Sequence, residues 1–169
     1  MDFIVREATP DDAAQCIERL QHLVEEPGIS FVLLPGEFDL SVEEERQYLQ
    51  EHAESDNSVF LVAEAEGRII GNLGCDGGSR RAVRHVVTLG LSVDEDWRGR
   101  GVGSALMERA IEWARDTGIV RRMQLYVFTR NEPAIRLYRK FGFRVEGRRR
   151  RAVFRDGQYL DDYMMALLL

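Results

Sequence analysis

The sequence is poor in cysteine, in histidine and in long apolar runs. Two cysteines, Cys16 and Cys75, in 169 residues allow at most one bridge, too little for a disulfide framework, and both are expected to be buried thiols. His22, His52 and His85 stand at no ligand-like spacing, so no metal is expected. The longest uninterrupted apolar run is the six residues Met164 to Leu169, far short of the ~20 that cross a bilayer. The opening MDFIVREATPDD carries Asp2, Arg6 and Glu7 and no apolar stretch of signal-peptide length. A cytoplasmic chain with no membrane partner is the expectation. What is present is ordinary for a globular domain: 44% hydrophobic and 31% charged residues, too apolar for wholesale disorder. The length suits one domain spanning residues 1–169.

Charge is distributed unevenly. Residues 1–66 hold 17 acidic residues against Arg6, Arg19 and Arg46, a local net of −14, whereas residues 121–155 hold 12 basic residues against Glu132 and Glu146, a local net of +10. The run Arg148 to Arg151 invites a nucleic-acid reading. Against it, the chain as a whole carries −6 and no aromatics interleave the run. Arginines on a strand edge more commonly form a solvated face or an anion contact, so no nucleic-acid partner is expected.

Turn chemistry and periodicity divide the chain. A strand over 3–6 leads to Thr9-Pro10-Asp11-Asp12, residues suited to a helix start. Ala13, Ile17, Leu20 and Val24 then keep helical spacing until Pro27-Gly28. The stretch 27–40, broken by Pro35-Gly36, reads as an irregular covering loop, and Ser41-Val42-Glu43-Glu44 opens a second helix with a capping box. Strands over 58–65 and 68–75 turn at Glu66-Gly67, and a third runs over 85–93. An amphipathic helix ends at Gly118, followed by a strand over 123–128, a short helix over 133–140 ended by Gly142, and two strands joined at Asp156-Gly157. The order β-α-α-β-β-β-α-β-α-β-β predicts one mixed α/β domain.

The third of these strands runs into Asp94-Glu-Asp-Trp-Arg98-Gly-Arg-Gly-Val-Gly-Ser104 and then a helix. Glycines at 99, 101 and 103 let the backbone turn sharply and leave no side chain between its N–H groups and a ligand. Those amides, with the helix N-terminus and the cations of Arg98 and Arg100, suit a phosphate or pyrophosphate. A Walker A loop needs Gly-Lys-Ser/Thr, and the segment has no lysine. A dinucleotide fingerprint needs glycine or alanine at 104 or 106, where Ser104 and Leu106 stand.

Arg98-x-x-Gly101-x-Gly103 is the pattern of the GNAT superfamily of acyl-CoA-dependent N-acyltransferases, which the sequence closely resembles. A second block, Asn131 through Ala134, Leu137, Tyr138, Gly142 and Phe143, is similar to the superfamily's later motif, Asn-x-x-Ala-x-x-Leu-Tyr-x-x-x-Gly-Phe. The resemblance covers residues 58–169 well and weakens before 58. It implies an α/β fold with a mixed central sheet and a splayed parallel strand pair, flanked by helices. Residues 1–57 would form the acceptor side, and 58–169 the acetyl-CoA-binding core and C-terminal hairpin.

The resemblance implies acetyl-CoA as co-substrate, with pantetheine on the backbone of Leu91, Ser92 and Val93 and the thioester carbonyl polarised by an N–H near Leu91. It places the pyrophosphate on the amides of Arg98, Gly99, Arg100, Gly101, Val102, Gly103 and Ser104, and Asn131 near the pantetheine. Leu91 and Val93 also read as core residues and Asn131 as a helix N-cap. Tyr138 is expected to be the general acid at the departing sulfur, although a tyrosine in an apolar helix also reads as packing. The glutamate that serves some members as base corresponds to Val87, so the base stays open among His85, Glu25, Glu26, Glu37 and water, with Glu64 a weaker candidate. The expected reaction is acetyl transfer to a primary amine, whether a small amine, an amino acid or a protein N-terminus, by direct attack in a ternary complex. A non-catalytic acetyl-CoA-binding module is the alternative, and a homodimer is left open.

Overall fold

The computed structural model describes residues 2–28 and 32–169. Residues 29–31 of the expected covering loop lie outside the described residues. The elements follow the predicted order, with bounds that move by one to three residues: β1 Ile4–Glu7, α1 Ala13–Glu25, α2 Val42–Glu54, β2 Val59–Ala65, β3 Arg68–Gly77, β4 Val86–Val93, α3 Val102–Asp116, β5 Arg122–Phe128, α4 Glu132–Lys140, β6 Arg144–Arg155 and β7 Gln158–Leu168. Local chemistry explains the ends. Pro10–Asp12 form a separate 3₁₀ turn before α1. There Asp12 turns back to accept from the Thr9 N–H at 2.7 Å and is gripped by both Nη atoms of Arg6 at 2.8 Å. The capping box at α2 is formed in both directions, Glu44 N–H donating to Ser41 Oγ at 3.2 Å and Ser41 N–H to Glu44 Oε2 at 2.8 Å.

One seven-stranded sheet runs in the order β1-β2-β3-β4-β5-β7-β6. Every neighbouring pair is antiparallel except β4 with β5. Strand alternation then sorts the side chains to two faces. Leu61, Leu73, Cys75, Val87, Leu89, Leu125 and Met165 point to the face covered by α3 and α4, where Leu106, Met107, Ala110, Ile135, Tyr138 and Phe143 complete the main core. Phe60 and Val62 point the other way and pack with Ala13, Leu49, Cys16 and Tyr48 of α1 and α2. Cys75 is buried, whereas Cys16 is only half-buried, and both are free thiols. Among the described residues no helix is long and apolar enough to cross a membrane, and no group of three or more His, Cys, Asp or Glu is placed to hold a metal ion.

A buried histidine ties α2 to the sheet. His52 Nδ1 lies 2.9 Å from the Tyr48 carbonyl oxygen and Nε2 lies 2.9 Å from Asp76 Oδ1. A carbonyl only accepts, and so does an ionised carboxylate, so this geometry suits a ring protonated on both nitrogens. Burial opposes that charge, but the bonds to Asp76 and to the Tyr48 carbonyl outweigh it and raise the His52 pKa. A folded-state pKa above the unfolded value of about 6.5 gives stability that is fully present below that value and lost as pH rises through the folded one. In urea unfolding between pH 6 and 8.5 the wild type should therefore lose more stability than Asp76→Asn; equal losses would refute the coupling.

Candidate active site

The sheet opens in its middle. β4 pairs with β3 along its length, from Gly77↔Val87 to Gly71↔Val93. β5 likewise pairs with β7 from Arg122↔Leu168 to Phe128↔Asp162. Between themselves β4 and β5 share only Val86↔Arg122, Val87↔Met123 and Thr88↔Gln124. From Leu89 and Leu125 onward the two facing edges diverge, and their inward main-chain groups meet no partner strand among the described residues. Edges of this kind are receptive to a ligand that carries its own amides.

Beyond β4 the chain is folded into a corner. The Asp94 N–H donates to the Ile70 carbonyl at 3.0 Å, a 3₁₀ turn takes up Glu95–Trp97, and Arg98 Nε reaches back to the Val93 carbonyl at 2.9 Å. Gly99 and Gly101 then adopt φ of +73° and +88°, the left-handed region, and α3 begins at Val102. A Cβ built on Gly101 would meet nothing within 4 Å, so the main chain there is open to a group approaching the helix N-terminus. The Arg98 guanidinium is held by Glu26 at 2.5 and 2.7 Å, which joins the corner to the end of α1.

A cavity of about 670 Å³ occupies the divergence. It is bordered by Leu23, Glu26 and Gly28 from the α1 side of the sheet and by Ala134, Leu137 and Tyr138 from the α4 side, so it passes between the two strands. Of the residues expected at the cofactor, Leu91, Ser92, Val93, Arg98, Gly99, Gly101, Gly103, Ser104 and Asn131 border it together. Arg100 does not; its guanidinium lies 5.4 Å from the Trp97 ring centre. The Val102 side chain is 1% exposed and belongs to the core. Asn131 has both features considered from the sequence, since its Oδ1 accepts from the Ala134 N–H at 3.3 Å as the N-cap of α4 while the residue borders the cavity.

Tyr138 is 6% exposed, 6.0 Å from the Phe143 ring, and borders the cavity. Burial pushes its hydroxyl up to about 12. The candidate bases are scattered. His85 is an exposed residue just before β4, whose far end borders the cavity, roughly 20 Å away along a strand of this length. Glu37 accepts from the Leu34 N–H at 2.9 Å, Glu64 is bound to Arg6 at 2.7 Å, and Glu25 borders a separate cavity beside α1. Only Glu26 borders the central one.

One structural group escaped the sequence reading. Arg19 of α1 is buried, with Nη1 on Asn72 Oδ1 and on Ser92 Oγ at 3.0 Å, and Nε 2.6 Å from Asp94. It ties α1 to β3, to the end of β4 and to the start of the glycine corner. Burial lowers its pKa despite Asp94, and burial raises that of Asp94 despite Arg19. Its position four residues before Leu23 on the buried stripe was the available signal.

These features agree with the comparisons. The family model described as the acetyltransferase (GNAT) family matches residues 19–143, and the chain belongs to that family. It is 42% identical over 106 residues to an L-amino acid N-acetyltransferase of Escherichia coli, a match covering 63% of this chain and 65% of that protein, just under two thirds of its length. The crystal structure of a GNAT-family acetyltransferase from Streptococcus pneumoniae superposes with a TM-score of 0.93 at 36% identity, covering 99% of both chains. A phosphinothricin acetyltransferase from Sinorhizobium meliloti, solved in complex with acetyl-CoA, has a TM-score of 0.86 at 24% identity, covering 100% of this chain and 89% of that one.

Gly101→Val tests the corner. The branched side chain would stand in the phosphate approach, and isothermal calorimetry should show acetyl-CoA affinity lowered at least tenfold, about 1.4 kcal/mol. The left-handed φ adds a stability loss of about 1–2 kcal/mol. Unchanged affinity in a folded variant would remove the corner from the binding site.

Proposed function

We propose that the chain is an acyl-CoA-dependent N-acetyltransferase that moves an acetyl group from acetyl-CoA to a primary amine by direct attack in a ternary complex. The observation that carries this reading is the cavity between β4 and β5, which joins the glycine corner at α3 to the buried phenol of Tyr138. In the reading, the amides of residues 98–104 take the pyrophosphate at the positive end of α3. The pantetheine amides pair with the unpartnered edge at Leu91, Ser92 and Val93, and an N–H near Leu91 polarises the thioester carbonyl. Asn131 lies at the second side of the gap.

Attack forms the C–N bond and expels sulfur as a thiolate, whose pKa of about 8.5 is that of a free cysteine. The Tyr138 hydroxyl, pushed up to about 12 by burial, keeps its proton throughout the neutral range. It is a permanent donor to the sulfur as charge collects there, in a water-poor site where such a bond is stronger. A primary amine, with a pKa near 10, must also lose a proton. Glu26 borders the cavity but is engaged by Arg98, so the reading sends that proton to water. Two free thiols accord with the reading of a cytoplasmic enzyme.

Tyr138→Phe removes one oxygen and leaves the ring packing. Release of CoA thiol in the presence of acetyl-CoA and an amine should slow about 100-fold or more, while calorimetric affinity for acetyl-CoA changes less than about threefold. Equal turnover would take Tyr138 out of its role.

A further inference from the structure

The face of the sheet under α1 and α2 is bare beside the gap. Gly74 and Gly90 are paired across β3 and β4, Gly90 is exposed, and a Cβ there would meet nothing within 4 Å. Gly90 directly precedes Leu91, at the edge of the cavity. Two residues past the last β4–β5 pair, Thr88↔Gln124, Gly90 stands level with Tyr126 on the other side of the divergence. Tyr126 is 45% exposed, and directly over its ring, 4.0 Å from the centre, lies the guanidinium carbon of Arg149.

Arg149 is aimed from β6. Asp162 of β7, its register partner, is 2% exposed and accepts from Arg149 Nε at 2.8 Å and Nη2 at 2.6 Å. That pair occupies one edge of the fork. Nη1 makes no hydrogen bond among the described residues, and the side chain stays 52% exposed. The rest of the arginine run goes elsewhere. Arg148 is bound to Asp161 at 2.7 Å, and Arg151, at φ +52°, lies over Tyr159. Only Arg149 combines a buried carboxylate behind it, an aromatic ring beneath it and a position level with the point where the strands part.

We propose that Arg149 selects the acceptor by binding its α-carboxylate, so that the substrate class is the free α-amino acid, not a protein N-terminus or a carboxylate-free amine. This rests on the acetyl-transfer reading above. A fixed guanidinium edge matches a carboxylate with two parallel hydrogen bonds. In an amino acid the carboxylate lies only two bonds from the nitrogen, so its anchor must serve the same end of the gap as the reacting carbon; Tyr126, with Arg149 over its ring, stands at the register level of Gly90, the residue before Leu91, on the exposed sheet face just outside the residues that border the central cavity. A peptide N-terminus or a simple amine would bring an amide or a hydrogen to the same place and forgo the charge-assisted pair with the outer edge of the guanidinium.

The test compares, in thiol-release kinetics, free L-amino acids with their α-carboxamides and their decarboxylated amines. The wild type should show a kcat/KM for the acids about 100-fold above both analogues, the scale of a hydrogen-bonded charge pair. In Arg149→Met that ratio should collapse toward one, and Arg149→Lys should restore part of it. Because removing Arg149 leaves Asp162 buried and alone, the wild-type ratio stands as a measurement that needs no variant. Carboxamides or peptide N-termini used as well as the acids would overturn the proposal while leaving acetyl transfer intact. Acetyl-CoA binding without turnover of any amine would overturn both.

Discussion

The feature on which the rest depends is a withheld strand pairing. β4 and β5 are each held along their outer sides by full antiparallel ladders, yet they share only three residue pairs with one another. Backbone groups left unpaired in a sheet interior are costly unless something else satisfies them. Leu91 and Val93 of β4 pack against the first turn of α3 and against Leu137 of α4 around Gly103. The helices packed beside the gap thus carry the glycine corner and Tyr138.

Much of this was legible in the residues. Gly99 and Gly101 announced a corner because only a backbone without Cβ takes φ of +73° and +88° at little cost. The capping box at Ser41 and the stop at Gly142 placed helix ends for equally local reasons. The start of α1 was displaced because Asp12 is held by Arg6 of β1, a contact between elements. The divergence itself came from the family resemblance, since a missing pairing is a relation between strands whose partnered residues lie 36 positions apart, and it leaves no periodicity in either. Arg19 and Arg149 were hidden for a similar reason. One looked like a helix charge and the other like a member of a surface run, and only the packed sheet shows which carboxylate holds each.

The charge asymmetry also has a structural resolution. Part of the acidic excess of residues 1–66 is bound to arginines: Asp12 and Glu64 to Arg6, Asp11 and Glu43 to Arg46, and Glu26 to Arg98. The basic excess of 121–155 is likewise divided, with Arg122, Arg148 and Arg149 meeting Glu146, Asp161 and Asp162. The solvent-exposed pairs among these, such as Arg46 with Asp11, contribute little to stability. The effect of the whole set is to orient planar groups, most clearly where a buried carboxylate stands behind an exposed guanidinium.

The sheet also ends in two very different margins. β1 offers four residues, too short to template another chain, while β6 is long, with a border rich in arginine and interrupted at Val145/Gly147 and again at Arg149/Val153. Like-charged, kinked borders resist the edge-to-edge stacking that leads to fibrils. The residues that look most like a nucleic-acid motif therefore make this one margin a poor template for an added strand.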